Sequence, residues 1–335
     1  MEATTMTHRT PAETDLAAAH EAVLTWFDTH ARELPWRAPG TSAWAVLVSE
    51  IMSQQTPVAR VTPRWRDWMD RWPAPSDLAA APTAEVLRAW DSLGYPRRAL
   101  RLKECAAVIA SEHGDRVPCD EQTLRALPGI GAYTAAAVAS FAGGQRTAVL
   151  DVNIRRVLAR AFDGHAHPKG ALTKSETAWA AQFVPAGPDA PGARHVAWNA
   201  GVMELGALVC TSRSPACEAC PLVAQCRWLA AGRPAGDDPA RKPKTQAWHG
   251  TDRQLRGAIM AVLKAAEAPV ARELLTASAT AFDPESDPES ADGPAATAIL
   301  RVRELGDGQR IGRLIDALIA DGLAAESGGR LHLPH

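Results

Sequence analysis

Three observations predict a mainly α-helical protein. Apolar residues recur at helical spacing along nearly the whole chain. Hydrophobic residues make up 46% of 335, enough for two or three domains with a substantial core. The strand signal is a hairpin at the C-terminal end. No apolar run approaches the ~18–20 residues of a membrane span. The polar start, MEATTMTHRTPAETD, lacks the layout of a signal peptide, so residues 1–15 read as a disordered tail on a cytoplasmic protein. The net charge of −2 does not by itself point to nucleic acid, although whole-chain charge says little about one face.

Residues 15–30 predict an amphipathic helix whose buried stripe is Leu16, Val23, Leu24 and Phe27. The loop LPWR, Leu34–Arg37, follows. SAWAVLVSEIMSQQTPVARV then reads as one helix, apolar on most sides and therefore central. Glu50 lies in its middle. Such a carboxylate sits either at a wet edge or in a pocket, and desolvation in a pocket raises its pKa, as general-acid work near neutrality requires. Gln54, Gln55 and Thr56 add amides and a hydroxyl able to reach base edges or backbone.

Three basic clusters follow: Arg60, Arg64, Arg66 and Arg71 among tryptophans; Arg97, Arg98, Arg101 and Lys103 after Tyr95; and Arg155, Arg156 and Arg160. Charge runs are usually solvated faces, yet three of them in an acidic chain predict a phosphate-binding side. Residues 125–153 read as helix, tight turn, helix, connector and acid. In Pro128-Gly129-Ile130-Gly131 the glycines permit positive φ and close backbone approach, and a turn opening a helix leaves N–H donors that suit a phosphate. Asp151 begins a further helical pattern over Val152–Ala161, where an acid is most often an N-cap. The two tyrosines, Tyr95 and Tyr133, fall inside these stretches.

Cysteine spacing is more specific. Cys210, Cys217, Cys220 and Cys226 read C-x6-C-x2-C-x5-C, and four thiolates so close argue for a metal centre rather than disulfides. Residue type alone leaves zinc and an iron–sulfur cluster both open. Cys105 and Cys119 read as small packing residues. Residues 236–250 read as a linker, with RKPKTQAWHG as its basic part. TDRQLRGAIMAVLKAAEAPVARELLTA predicts two helices divided at Ala268-Pro269, residues 276–298 an Ala/Ser/Asp/Pro-rich disordered insert, RIGRLIDALIADGL a helix, and AAESGGRLHLP a hairpin turning at Gly328-Gly329. Residues 251–335 are therefore expected to form a small winged-helix-like domain, either a stability cap or a DNA contact.

Taken in order, Glu50 in SEIMSQQT, LPGIG, LDVN with Asp151, MELGA (Met203–Ala207) and the four-cysteine spacing make residues 16–235 resemble a MutY-type adenine DNA glycosylase of the helix-hairpin-helix superfamily that includes endonuclease III. The resemblance implies a helix-hairpin-helix glycosylase fold with a [4Fe–4S] loop over residues 210–226. It also implies base excision repair of duplex DNA, by monofunctional hydrolysis of adenine mispaired with 8-oxoguanine or guanine, and a monomer needing no membrane. In its light Glu50 protonates the base, Asp151 stabilises the sugar cation and Asn153 orients Asp151. Trp36, Arg37 and Glu204 line the pocket for the extruded adenine, Gln54, Gln55 and Tyr95 meet the DNA at the lesion, and Gly129 and Gly131 grip backbone phosphate. Tyr133 stands where the strand-cutting branch has a lysine; a phenol forms no Schiff base.

Ser53 and Pro96 depart from the family pattern, and Pro96 restricts Tyr95 away from the α region. The Phe-Ser-His segment of the NUDIX-like reader common in the family is not found, and residues 246–335 look too few for that domain. Two other readings stay open: a glycosylase for thymine opposite guanine, and a non-catalytic DNA-damage binder. Against the binder stand Glu50, Asp151 and Asn153 together, because binding alone needs none of them.

Overall fold

The computed structural model describes residues 12–168, 170–235, 248–277 and 294–335. Two compact units emerge. The first comprises the described residues up to Gln54 and those from Val108 to Ala235; the second comprises Gln55–Ala107 and the described residues from Trp248 onward.

In the first unit, α1 (Glu13–His30) buries Ala19, Val23 and Trp26, with Leu16 and Phe27 packed beside them. The stripe therefore includes Ala19 and Trp26 and leaves Leu24 only partly covered, since Trp26 carries far more apolar area to the core than its indole N–H costs. Residues 13–15, expected in the tail, are helical; the remainder of that expectation lies outside the described residues. Next comes α2 (Ala43–Ser53), capped by the Ser42 hydroxyl accepting from the Ala45 N–H at 3.1 Å. Trp44 through Met52 are buried all round, which makes α2 central.

One long helix was expected from residue 42 through Val61. The chain breaks instead at Gln54–Pro57, and α3 (Val58–Arg71) starts after it. Pro57 bars its predecessor from the α region, and Gln55 takes φ +54° in the turn. The hairpin of this unit is formed by α7 (Glu121–Ala126) and α8 (Ala132–Phe141). In its turn only Gly129 has positive φ, +75°; Gly131 is extended at the N-cap of α8.

The small residues of α8, Ala135 to Ala139, are buried and admit close neighbours. Helix α9 (Val152–Leu158) runs into a π turn at Ala159–Asp163, and α10 (Lys174–Ala181) leads to α11 (Arg194–Leu208). On α11 two glycines set the packing distance. A Cβ on Gly201 would stand 2.9 Å from Val23 of α1, and one on Gly206 would stand 2.7 Å from the Asn153 Cβ of α9. Phe162, Phe183 and Trp179 close the core with ring centroids 4.5 and 4.8 Å apart. The short α12 (Arg227–Ala230) follows the cysteine loop.

The second unit joins α3, α4 (Pro75–Ala80), α5 (Thr83–Trp90) and the start of α6 (Arg97–Glu112) to the C-terminal segment. Trp68 meets Trp72 and Trp90 edge-on at 4.9 and 5.4 Å. The C-terminal segment adds α13 (Asp252–Ala265), β1 (Val270–Ala271), α14 (Arg272–Thr276), α15 (Pro294–Leu305), α16 (Gly308–Ala320), β2 (Ala325–Ser327) and β3 (Arg330–His332). The strands form an antiparallel sheet in the order β1-β3-β2. Gly328 and Gly329, at φ +56° and +72°, make the expected turn.

The expected disordered insert is shorter than 276–298, because Thr276 ends α14 and Pro294 opens α15; residues 278–293 lie outside the described residues. Ile299 and Val302 of α15 are buried against α13, which draws that helix into the core. Residues 236–247 of the expected linker also lie outside the described residues. Among the described residues, no helix is long and apolar enough to cross a membrane.

Candidate active site

Glu50 is 9% exposed. The apolar surround of α2 pushes its carboxyl up to about 7; a hydrogen bond from the Tyr133 hydroxyl to Oε2, at 2.8 Å, pulls the other way, the Asp151 charge raises it and Arg37 lowers it. Glu50, Asp151 and Tyr133 thus share one electrostatic neighbourhood although 101 residues separate the two acids. Burial first, then both carboxylates, hold the Tyr133 phenol well above its usual range, so it remains a donor.

Asp151 has the ordinary N-cap role and more. Its Oδ1 accepts from the N–H groups of Asn153 and Ile154 at 2.9 and 2.7 Å, while the Asn153 side-chain amide donates to Oδ2 at 2.7 Å. Burial raises its pKa, and these donors oppose that rise. Asn153 is itself held, since its Oδ1 accepts from Arg156 Nη2 at 2.8 Å. Gly206 admits the Asn153 backbone.

A third carboxylate, Glu204, is fully buried. Burial pushes its pKa up, but hydrogen bonds from Arg32 and the charge of Arg37 outweigh that and hold it below the usual range. Arg32 donates through Nε at 2.6 Å, Nη2 at 3.0 Å and its backbone N–H at 3.0 Å, and Arg37 Nη2 donates at 3.0 Å. Arg37 Nη1 is buried with no hydrogen-bond partner among the described residues. Such an orphaned donor is unusual in a packed interior, and a ligand acceptor would satisfy it. Trp36 and Arg37 share the 3-10 turn Pro35–Arg37, where a plain loop was expected.

Sequence reasoning missed Arg32 and Gly206, and it read Arg156 as part of a phosphate-binding cluster. Gly206 lies in the MELGA segment, whereas Arg32 carries no local signal. The basic cluster Arg155, Arg156 and Arg160 faces inward, not toward a phosphate-binding side. Arg155 grips Glu176 at 2.7 Å through two nitrogens, Arg156 bonds the Cys210 and Gly206 carbonyls, and Arg160 bonds those of Ala166, Thr211 and Ser212. Unpaired carbonyls at helix ends and in the cysteine loop need buried donors, and these arginines supply them.

At the hairpin, Gly129 and Gly131 are exposed and no side chain caps α8, so first-turn N–H groups point outward. Gln54 donates to the Thr134 hydroxyl at 3.4 Å. Gln55 and Tyr95 belong to the second unit, where Tyr95 is 44% exposed with φ +48° before Pro96.

Among the described residues no group of three His, Cys, Asp or Glu side chains could hold a metal ion. A cubane binds each thiolate on a different iron, so its sulfurs stand wider apart than those of one tetrahedral zinc. The four cysteines are free and lie close enough to perturb one another. Burial pushes the Cys220 thiol up to about 12, and charges on Cys210, Cys226 and Cys217 add to the rise. Four unpaired thiols gathered in one loop supply the donor set that a [4Fe–4S] cluster takes. Arg160, stacked 4.5 Å over Trp228, donates to Cys210 Sγ at 3.4 Å.

The chain is 46% identical over 313 residues to the adenine DNA glycosylase of Mycobacterium tuberculosis, a match that covers 93% of this chain and 92% of that protein. It is 41% identical over 221 residues to the adenine DNA glycosylase of Homo sapiens, covering 64% of this chain and 40% of that one. A solved thermostable thymine-DNA glycosylase superposes with a TM-score of 0.58 at 28% identity, covering 65% of this chain and 98% of that one. Residues 48–181 match the HhH-GPD superfamily base excision DNA repair protein. This protein belongs to the adenine DNA glycosylase family within that superfamily.

Proposed function

We propose that the protein removes adenine mispaired with 8-oxoguanine or guanine in duplex DNA, acting as a monomer without cutting the strand. Its relatives' activity on adenine supports the base. The observation that carries the mechanism is Glu50, half protonated near neutrality and within electrostatic reach of Asp151.

The base leaves the stack at a cost of roughly a few kcal/mol and enters the pocket. There Arg37 Nη1 offers it a hydrogen bond, and Trp36 and Glu204 bound the pocket. Glu50 gives its proton to adenine N7 as the C1′–N9 bond breaks and the bonding pair passes to the base. Asp151, aimed by Asn153, faces the cationic sugar. Water then adds at C1′, and its proton passes to the carboxylate left on Glu50. Tyr133 holds Glu50 and offers no amine for a Schiff base, so the product is an abasic site.

Gln54, Gln55 and Tyr95 hold the DNA at the lesion, where stacking on an aromatic is worth about 1–3 kcal/mol per base. Gly129 and Gly131 take a phosphate at the α8 N-terminus. Cys210, Cys217, Cys220 and Cys226 would hold a [4Fe–4S] cluster, which when bound would fasten the loop. Brown protein with iron and sulfide is expected, whereas colourless protein carrying zinc overturns the assignment.

The test is incubation with duplexes carrying adenine opposite 8-oxoguanine, adenine opposite guanine, or thymine opposite guanine, followed by alkali to reveal abasic sites. Cleavage at adenine supports the proposal. Cleavage confined to thymine, or none at any mismatch with binding intact, replaces it with the thymine glycosylase or the non-catalytic binder.

A further inference from the structure

A groove of about 1290 Å³ lies wholly within the second unit, between the chain from Gln55 to Arg97 and the face of α13. That exceeds the ~300–1,000 Å³ of most small-ligand sites and suits an extended polymer. Its wall is rich in cations, with Asp91 as the acid among the described lining residues. Several of those cations are already engaged. Arg97 and Arg256 share Asp321 at 3.2 and 2.6 Å, and Arg60 donates to the Ser92 carbonyl.

Arg253 differs. Among the described residues it has no carboxylate partner, and its guanidinium stacks 4.6 Å over the Tyr95 ring and 5.9 Å from that of Trp248. Both rings are open to solvent, at 44% and 51%. Tyr95 sits at φ +48° between Gly94 at +78° and Pro96. A cation parked between two exposed aromatics combines phosphate neutralisation with a stacking platform, the two means by which proteins hold nucleic-acid strands. On α16, by contrast, Arg310 and Arg313 are tied to Asp252 at 2.8 Å each. Arg253, without a carboxylate among the described residues, faces this groove.

We propose that the groove is a DNA contact of the C-terminal domain, in which Arg253 neutralises a backbone phosphate while Trp248 and Tyr95 stack on the adjoining nucleotide. This rests on the glycosylase reading for the identity of the polymer as DNA. It makes the domain a DNA-binding element rather than a stability cap.

The test uses the full chain with matched and adenine-mismatched duplexes, measuring affinity from about 50 to 200 mM salt. Each phosphate neutralised contributes about 0.9 to the slope of log K against log salt. Arg253→Ala is expected to lower that slope by about 1 and to weaken both duplexes alike. Arg253→Lys is expected to keep the slope, and Trp248→Ala to weaken binding with the slope unchanged. If Arg253→Ala shifts the unfolding midpoint, the slope of Arg253→Gln decides in its place. An unchanged slope in a folded Arg253 variant overturns the proposal. Base release by the unmodified protein, assayed in parallel, separates the two readings: release with an unchanged slope refutes the groove alone, whereas a reduced slope without release on any mismatch refutes the glycosylase alone.

Discussion

Replacing Glu50 by glutamine tests the acid twice, through stability and through chemistry. In the unfolded chain the carboxyl titrates near 4.5; in the folded protein it titrates near 7. Between those values the folded state keeps a proton that the unfolded state has released, so stability falls as pH rises across that window. A gap of about 2.5 pH units at 1.36 kcal/mol each corresponds to about 3 kcal/mol. Glutamine is neutral at every pH and still accepts from the Tyr133 hydroxyl.

Urea unfolding of the protein as purified should therefore give equal stabilities for Glu50→Gln and the natural chain near pH 4.5. Near pH 8 the variant should be more stable by about 3 kcal/mol, with DNA binding kept and base release abolished. Parallel stability curves from pH 4.5 to 8 would show that the carboxyl is not raised, and near-normal turnover would exclude Glu50 as the acid.

Four further outcomes are expected. Tyr133→Phe removes the donor that favours the Glu50 carboxylate; at ~1.5–3 kcal/mol for a charged hydrogen bond, the alkaline limb of single-turnover base release should move up by about 1–2 pH units, and an unmoved limb would contradict the contact. Asp151→Asn keeps the N-cap through its one amide oxygen but turns a donor toward the Asn153 amide, so stability should fall by about 1–3 kcal/mol while base release falls about 10²–10³-fold; unchanged release would remove Asp151 from the chemistry. Arg32→Ala strips two of the four hydrogen bonds from buried Glu204, together with the nearer positive charge, and a loss of about 3 kcal/mol in denaturant unfolding is expected; a loss under about 1 kcal/mol would mean that Arg37 and the backbone N–H of residue 32 suffice to hold it. Gly206→Ala drives a methyl into Asn153, at about 1–3 kcal/mol for overpacking, and should slow base release more than it weakens DNA binding; equal loss of both would indicate general misfolding instead.

Much of the helical content was legible in the order of residues, because a helix depends on neighbours three and four positions apart. Glu50 stood out as a charge in an apolar helix, and Gly129 and the Gly328-Gly329 pair announced turns through a backbone freedom that other residues lack. Pro57 carried its message as well, and the break before α3 obeys it. Asp151 was readable as a cap, and the same carboxylate caps α9 through Oδ1 and holds the Asn153 side chain through Oδ2.

The chain order could not say which way Arg155, Arg156 and Arg160 face. Their acceptors lie at Glu176, Gly206, Cys210 and beyond, and only packing brings those groups within reach. Arg32 next to Glu204, 172 residues on, is invisible for the same reason. Periodicity records where water is excluded along one element, so composition and spacing determined the helices, the hairpin turn and the four-cysteine loop. Desolvation of Glu50 to a pKa about 7, its tie to Tyr133 and its nearness to Asp151 were decided by tertiary structure, because each depends on groups that sequence leaves 80 or more residues apart.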